Sequence, residues 1–296
     1  MPNPSRGKAL FLYSDSSGHG QVNRHFDVIL SRLRALYATV DAFETASPEE
    51  GARRARDACG VYEALVFSGG DGTFNNIITA LLGQKDAPTL GYINSGTMGD
   101  IGRNFGIGSS YRSALRAIEG GYTSGFDIGK VNGKTFTYMA AVGAFADIAY
   151  LTKRSYKKRI GKIAYYFKAV GEALVPKAVA CHIEADGQSY DLKVPFILCL
   201  SGKNVGGFRV NGRHSSIHDG KFELYLTKPG LFNGLLHYLF FKVRTTQIVA
   251  SSFRIEVGYP LPWCLDGEAG PIGSVTIEAA DSGLRVFCAK KRAEKA

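Results

Sequence analysis

The sequence has no hydrophobic run long enough to cross a membrane, and Met1 to Lys8 lack the apolar stretch of a secretory signal. Its five cysteines are an odd number with no close pairs, which fits reduced, buried thiols better than disulfides or a zinc site. The six histidines are not spaced as metal ligands either. These absences predict a globular cytoplasmic protein.

Acidic residues are also in short supply, with 26 Asp and Glu against 36 Lys and Arg and a net charge of +10. Nucleic acid, an anionic lipid surface or a polyphosphate substrate would each suit such an excess, so charge alone does not choose. The basic residues follow no recognisable nucleic-acid-binding module, and we expect no nucleic-acid partner. A hydrophobic content of 45% over 296 residues predicts a full core in one large domain or two ordinary ones.

One stretch has the composition of a phosphate-binding turn. A short apolar strand runs into Gly69-Gly70-Asp71-Gly72-Thr73, and a helix is predicted over 74–82. Glycines let a backbone approach a ligand closely, and the N–H groups that begin a helix favour phosphate oxygens. The carboxylate of Asp71 would repel phosphate unless a divalent cation or a proton lay between them. A structural turn with Asp71 as the helix N-cap is the alternative.

A second turn has similar chemistry. The predicted strand 90–94 ends in Ser95-Gly96-Thr97, with Asp100 shortly after. Since parallel strands end at one edge of a sheet, we expect both turns to share one crevice.

Strand and helix signals alternate through residue 125, which predicts an α/β domain with a doubly wound, mostly parallel sheet. Short β-rich segments then follow and predict a mostly antiparallel second domain over 126–288, a β-sandwich or a barrel. Within it, 156–174 reads as a basic amphipathic helix suited to an anionic membrane surface, and 231–243 as a buried apolar helix. The charged tail 289–296 is expected to fray.

Two Asp-Gly pairs stand out in the second half, Asp219-Gly220 and Asp266-Gly267, the latter followed by Glu268. Taken singly, each pair is typical of an ordinary turn.

Taken together, the glycine-rich turn, the run 90–97 with Asp100 and Arg103 after it, and the late Asp-Gly-Glu resemble the diacylglycerol kinase-like lipid kinases. That group includes the sphingosine kinases and shares its nucleotide fold with NAD kinases. The resemblance implies ATP- and Mg²⁺-dependent phosphorylation of a lipid hydroxyl at an anionic membrane surface, by a cytoplasmic protein peripheral to the membrane. It also allows a homodimer.

The resemblance carries site residues over by motif. Asp219 would be the magnesium-site acid, with backbone or water contacts from Ser216 and Lys221, and Asp266 and Glu268 would be the candidate bases. Asp71 would serve both catalysis and nucleotide binding. The positions implied to bind the nucleotide are Ser17, Gly18, Thr45, Gly69, Gly70, Asp71, Gly72, Thr73, Asn76, Ser95, Gly96, Thr97 and Asp100.

Some positions depart from the family pattern and keep two other hypotheses open. Where the family usually has Gly-Thr-Gly-Asn-Asp, this chain has Gly-Thr-Met-Gly-Asp from Gly96, and the string 94–99 is closer to the NAD kinase version. A NAD kinase is therefore an alternative, although the Asp-Gly-Glu and the Asn-Phe-Gly-Ile after Arg103 argue against it. Met98 and His218 motivate the second alternative, a non-catalytic nucleotide- or lipid-binding homologue. The sequence does not identify the lipid.

Overall fold

The computed structural model describes residues 6–14, 21–96, 99–143, 178–202, 204–205, 208–209, 217–227, 245–280 and 282–293. The predicted helices over 156–174 and 231–243 lie outside these residues. The chain divides into two compact units. The first comprises Met1–Phe126, Ser216–Asp219 and Asp281–Ala296, and the second comprises Asp127–Ser215 and Gly220–Ala280.

The first unit alternates strands and helices, as its sequence periodicity predicts. Its strands are β1 (Arg6–Tyr13), β2 (Tyr37–Glu44), β3 (Ala64–Gly69), β4 (Thr89–Asn94), β5 (Thr123–Ser124) and the last strand of the chain, β20 (Val286–Phe287). Its helices are α1 (Gln21–Arg24), α2 (Phe26–Arg34), α3 (Pro48–Asp57), α4 (Asp71–Leu81), α5 (Asp100–Asn104), α6 (Tyr111–Gly120) and α7 (Lys290–Ala293).

These strands form one sheet in the order β2-β1-β3-β4-β20-β5. All neighbours are parallel except the pair β20 and β5, which confirms the predicted mostly parallel sheet. The connection from β2 passes to the other side of β1 to form β3. The carboxyl ends of β1 and β3 therefore flank a topological switch point, the position where open α/β sheets bind ligands.

The end of the chain belongs to this first sheet. The sequence assigned 286–287 to the second domain, but Val286 pairs in parallel with Leu90 of β4. The N–H of Leu90 also donates to the carbonyl of Arg285 at 2.9 Å. The tail predicted to fray instead forms α7 up to Ala293. Just before this helix, the N–H of Ala289 donates to the carbonyl of Phe105 at 3.0 Å.

The second unit is built from short strands. They are β6 (Ile128–Val131), β7 (Lys134–Phe136), β8 (Met139–Gly143), β9 (Val179–Ala185), β10 (Gln188–Val194), β11 (Phe196–Leu200), β12 (Asn204–Val205), β13 (Phe208–Arg209), β14 (Phe222–Thr227), β15 (Thr245–Ala250), β16 (Ser252–Val257), β17 (Pro262–Leu265), β18 (Glu268–Ile272) and β19 (Val275–Ala280).

Two six-stranded sheets organise this unit, in the orders β10-β9-β16-β19-β6-β7 and β15-β14-β11-β8-β17-β18. Neighbouring strands in both sheets are antiparallel, as predicted. One core contains side chains from both sheets, among them Ile183 and Phe253 of the first and Phe222 and Trp263 of the second. Two sheets with a common core form a β-sandwich. Among the described residues, no helix is long and apolar enough to span a bilayer.

Candidate active site

The two turns singled out in the sequence lie side by side. Gly69, the last residue of β3, is in register with Asn94, the last residue of β4. The N–H of Ser95 donates to the carbonyl of Gly69 at 2.9 Å. A Cβ added at Gly96 would lie 2.7 Å from the Cα of Gly70, so the two backbones touch with no room for a side chain. The carboxyl edge of the sheet thus brings both turns together.

Glycine is found at positions 69 and 72 of the first turn for different physical reasons. A Cβ at Gly69 would lie 2.5 Å from the hydroxyl oxygen of Thr73, so packing inside the turn requires glycine there. At Gly72 an added Cβ would meet nothing within 4 Å, and its φ is not in the left-handed region. Neither packing nor backbone conformation explains Gly72. Close approach of a ligand to the backbone would explain it.

Asp71 is the first residue of α4, and Gly70 is its N-cap. The alternative that Asp71 is the N-cap is therefore wrong. The half-buried Asp71 accepts a hydrogen bond at Oδ1 from the N–H of Ile101, 3.4 Å away in the first turn of α5. Asp71 therefore links the start of the helix after the first turn to the start of the helix after the second.

Asp100 and Arg103 form an ion pair beside these turns. Asp100 is buried, and Nη1 of Arg103 lies 3.2 Å from its Oδ1. Arg103 remains about one-third exposed. The pair leaves a guanidinium, a good partner for phosphate, near the carboxyl edge.

Tyr92 and Asn94 were not among the predicted site residues, yet both hold the turns in place. The hydroxyl of Tyr92 lies 3.2 Å from the carbonyl of Gly69 and 3.3 Å from Oδ1 of Asn94. The same Oδ1 accepts the N–H of Gly96 at 2.9 Å. Burial, with the nearby carboxylates of Asp71 and Asp100, raises the pKa of Tyr92 well above its usual value, so it stays a neutral donor. The signal available in the sequence was an Asn ending a buried strand.

Two of the other implied nucleotide positions are among the described residues. Thr45 follows β2, and both its N–H and its hydroxyl donate to the carbonyl of Tyr13, at 2.7 and 3.1 Å. Asn76 is exposed on α4. Ser17, Gly18 and Thr97 lie outside the described residues.

The carboxylate of Asp266 is buried and accepts four hydrogen bonds. Oδ2 accepts the N–H and the hydroxyl of Thr137 at 2.6 and 2.7 Å. Oδ1 accepts the N–H groups of Tyr138 and Met139 at 3.1 and 3.0 Å. Asp266 and Gly267 both have positive φ, as expected in a tight hairpin turn. This carboxylate ties the turn between β17 and β18 to the start of β8.

Glu268 follows in the same hairpin, paired with Leu265, and its side chain is exposed. The two candidate bases therefore have opposite environments. Asp266 is held by donors, whereas Glu268 is open to a substrate.

The predicted magnesium residues lie around residue 219. Asp219 and Lys221 are exposed, and Ser216 lies outside the described residues. Asp219 groups with the first unit rather than the second, to which the sequence assigned it. The His218 ring packs against Gly125, where an added Cβ would lie 2.6 Å from the ring. Within the described residues, no three His, Cys, Asp or Glu side chains converge on a point that could hold a metal ion.

Comparison with known proteins finds similarity to one family. Residues 8–131 match the model of the diacylglycerol kinase catalytic domain. A diacylglycerol kinase from Bacillus subtilis is 26% identical over 273 residues, covering 89% of this chain and 90% of its own. Residues 8–131 are therefore similar to the catalytic domain of diacylglycerol kinases, and the similarity to these phosphotransferases continues over most of the chain.

A second relative and a solved structure extend the similarity. A diacylglycerol kinase from Staphylococcus haemolyticus is 29% identical, covering 88% of this chain and 82% of its own. A crystal structure of a candidate diacylglycerol kinase from Bacillus anthracis superimposes with a TM-score of 0.84 at 20% identity, covering 96% of each chain. The described residues therefore have the diacylglycerol kinase-like fold.

Proposed function

We propose that this protein is an ATP-dependent lipid kinase that phosphorylates a hydroxyl of a diacylglycerol-like lipid. The observation that carries the proposal is the joining of the two glycine turns at the carboxyl edge of the first sheet, in a chain whose relatives are named diacylglycerol kinases. The excess of basic residues suits action of a cytoplasmic protein at an anionic membrane surface.

The nucleotide phosphates are assigned to the N-terminus of α4. Gly70 caps this helix without a side-chain hydrogen bond, and the backbone at Gly72 is open to an approaching ligand. N–H groups at a helix start attract phosphate oxygens. Asp71 would position the two turns through its hydrogen bond from the N–H of Ile101. Asp100 would hold Arg103, whose guanidinium would supply positive charge beside the phosphates.

Magnesium is assigned to the residues around Asp219. Mg²⁺ usually takes one or two protein carboxylates together with phosphates and water, so the single exposed carboxylate of Asp219 fits it. The backbone of Ser216 and Lys221 would contribute direct or water-mediated contacts. When bound, Mg²⁺ neutralises negative charge on the phosphate oxygens.

The base is assigned to Glu268. Its exposed carboxylate is available to take the proton from a lipid hydroxyl, a step that general bases accelerate. Asp266, whose oxygens accept four hydrogen bonds, is assigned to positioning the hairpin that carries Glu268. This assignment narrows the two bases implied by the resemblance to one.

The test is transfer of labelled γ-phosphate from ATP, with Mg²⁺, into a total lipid extract in mixed micelles. We expect a labelled product in the organic phase that is lost in Asp71→Ala and kept in Asp57→Ala. The control removes an exposed carboxylate of α3 that forms an ion pair with exposed Arg53. Chromatography of the labelled lipid then identifies the substrate.

The similarity of 94–99 to NAD kinases gives the assay a second arm. Label that enters an aqueous nucleotide only when NAD⁺ is added would replace the lipid kinase with a NAD kinase. ATP binding without transfer to lipid or NAD⁺ would favour the non-catalytic hypothesis.

A further inference from the structure

Position 99 is one of two places, with Met98, where this chain departs from the Gly-Thr-Gly-Asn-Asp motif of the lipid kinases that it resembles, and the structure gives a reason for the glycine. Gly99 has a φ of 64°, in the left-handed region. Asn is the residue other than glycine that tolerates this conformation best, so backbone strain alone does not exclude the family's usual Asn. The exclusion comes from a neighbour. A Cβ added at Gly99 would lie 3.1 Å from Cγ of Asn94 and closer still to its Nδ2.

The Asn94 carboxamide therefore occupies the space that a side chain at position 99 would need. Only 6% of Asn94 is exposed. Its Oδ1 accepts the N–H of Gly96 at 2.9 Å and lies 3.3 Å from the hydroxyl of Tyr92. Its Nδ2 is directed at the backbone of Gly99. One amide thus contacts both ends of the segment that joins β4 to α5.

We propose that Asn94 is the positioning residue of the second turn, and that its carboxamide replaces the Asn that the family usually carries at position 99. In this chain the amide stands at position 94, five positions before 99, and Gly99 leaves the space that it occupies. The departure at Gly99 then compensates for Asn94 and is no sign of lost activity. The expected effect on ATP binding rests on the proposed function. The expected effect on the backbone of the turn does not.

The test uses two single and two double variants. Asn94→Ala removes the acceptor of the Gly96 N–H, and Gly99→Asn places a second amide in occupied space. We expect each to weaken Mg·ATP binding, measured by calorimetry, by roughly tenfold. The first removes the acceptor of the Gly96 N–H, and the second displaces the amide that provides it. The double variant Asn94→Ala with Gly99→Asn moves the amide to position 99 and should regain most of the affinity.

The control is Asn94→Ala with Gly99→Ala, which places a Cβ at position 99 but has no amide at either position. We expect it to stay as weak as Asn94→Ala. Recovery equal to that of the Asn-bearing double variant would overturn the proposal, because a side chain without an amide would then suffice. Unchanged affinity in Asn94→Ala would overturn it as well.

Hydrogen exchange at the Gly96 amide separates this inference from the proposed function. It should accelerate by roughly tenfold or more in Asn94→Ala and recover in the Asn-bearing double variant. Wild-type protein that binds no ATP would refute the proposed function, while exchange would still decide the positioning role. Equal exchange at Gly96 in wild type and Asn94→Ala would overturn that role. If Asn94→Ala fails to fold, Gly99→Asn in the wild-type background decides the question, and an unchanged ATP affinity there contradicts the proposal.

Discussion

Replacing the two acids of the β17–β18 turn by their amides should separate a structural carboxylate from a catalytic one. Asp266→Asn keeps the size of the side chain but turns one acceptor oxygen into an NH₂ group. If Oδ1 is replaced, the new NH₂ group faces the N–H groups of Tyr138 and Met139. If Oδ2 is replaced, it faces the N–H of Thr137 and a hydroxyl that can turn to accept. Glu268→Gln changes a side chain that is exposed.

The magnitudes follow from the contacts. At least one of the four hydrogen bonds to Asp266 is lost, and hydrogen bonds to a charged group contribute about 1.5–3 kcal/mol each. We therefore expect Asp266→Asn to lower the free energy of unfolding of the protein by at least about 1.5–3 kcal/mol. Glu268→Gln should change it by less than about 0.5 kcal/mol, as exposed substitutions usually do.

The assays are urea unfolding followed by circular dichroism, ATP binding by calorimetry, and phosphoryl transfer to lipid. Glu268→Gln should keep its unfolding midpoint and its ATP affinity and lose turnover, whereas Asp266→Asn should lose stability. Glu278→Gln, another exposed acid on a strand of the second unit, is the matched control and should match wild type throughout. An Asp266→Asn protein as stable as wild type but inactive would refute the reasoning, and so would full turnover in Glu268→Gln.

Three further changes test other parts of the structure. Gly72→Ala should leave the urea unfolding midpoint unchanged and weaken ATP binding, because its added Cβ meets no protein atom. Gly69→Ala should lower the unfolding midpoint, because its added Cβ collides with Thr73 inside the turn. Gly125→Ala should displace the ring of His218 and raise the Mg²⁺ concentration for half-maximal activity, and adding His218→Ala should reverse the effect. The Asp191 hydrogen bond raises the pKa of His182, so the stability that this histidine adds is full below about pH 6.5 and lost as pH rises through the raised pKa. The difference in melting temperature between wild type and His182→Gln should therefore narrow as pH rises. A difference that stays constant with pH would contradict a stabilising ion pair between His182 and Asp191.

Local periodicity predicted the two kinds of sheet because each side-chain pattern has a local cause. Strand β9 alternates buried Cys181 and Ile183 with more exposed His182 and Glu184, the pattern of a sheet with one face on a core. In β3, every residue is buried, as in a parallel sheet covered on both faces. The partner of a strand has no such local signal. A two-residue strand at Val286 could not be assigned from sequence, because its pairing with β4 depends on which edge the fold leaves open.

The chemical motifs of the site were similarly visible, but the contacts that position them were not. The glycine-rich turn and the Asp-Gly-Glu can be recognised from short strings of letters. The hydrogen-bond partners of Asp266 lie 127 to 129 residues earlier in the chain. The sequence around the motif therefore does not predict the structural role of Asp266. Asn94 was not predicted for a related reason. Its role in positioning the turn depends on the space left by Gly99, and from sequence alone this glycine is only a departure from the motif.

The topology also limits where the nucleotide-binding half can be cut. The first unit contains both the amino-terminal stretch to Phe126 and the carboxyl-terminal segment from Asp281, and all of the second unit's sequence is inserted between them. A fragment ending at 125 would lose β20 and the carbonyl of Arg285 just before it. This carbonyl accepts the N–H of Leu90 on β4. Because β4 carries the second turn at its carboxyl end, an open edge there would loosen the element against which Gly70 packs. The geometry of the glycine turn is thus completed by the last strand of the chain.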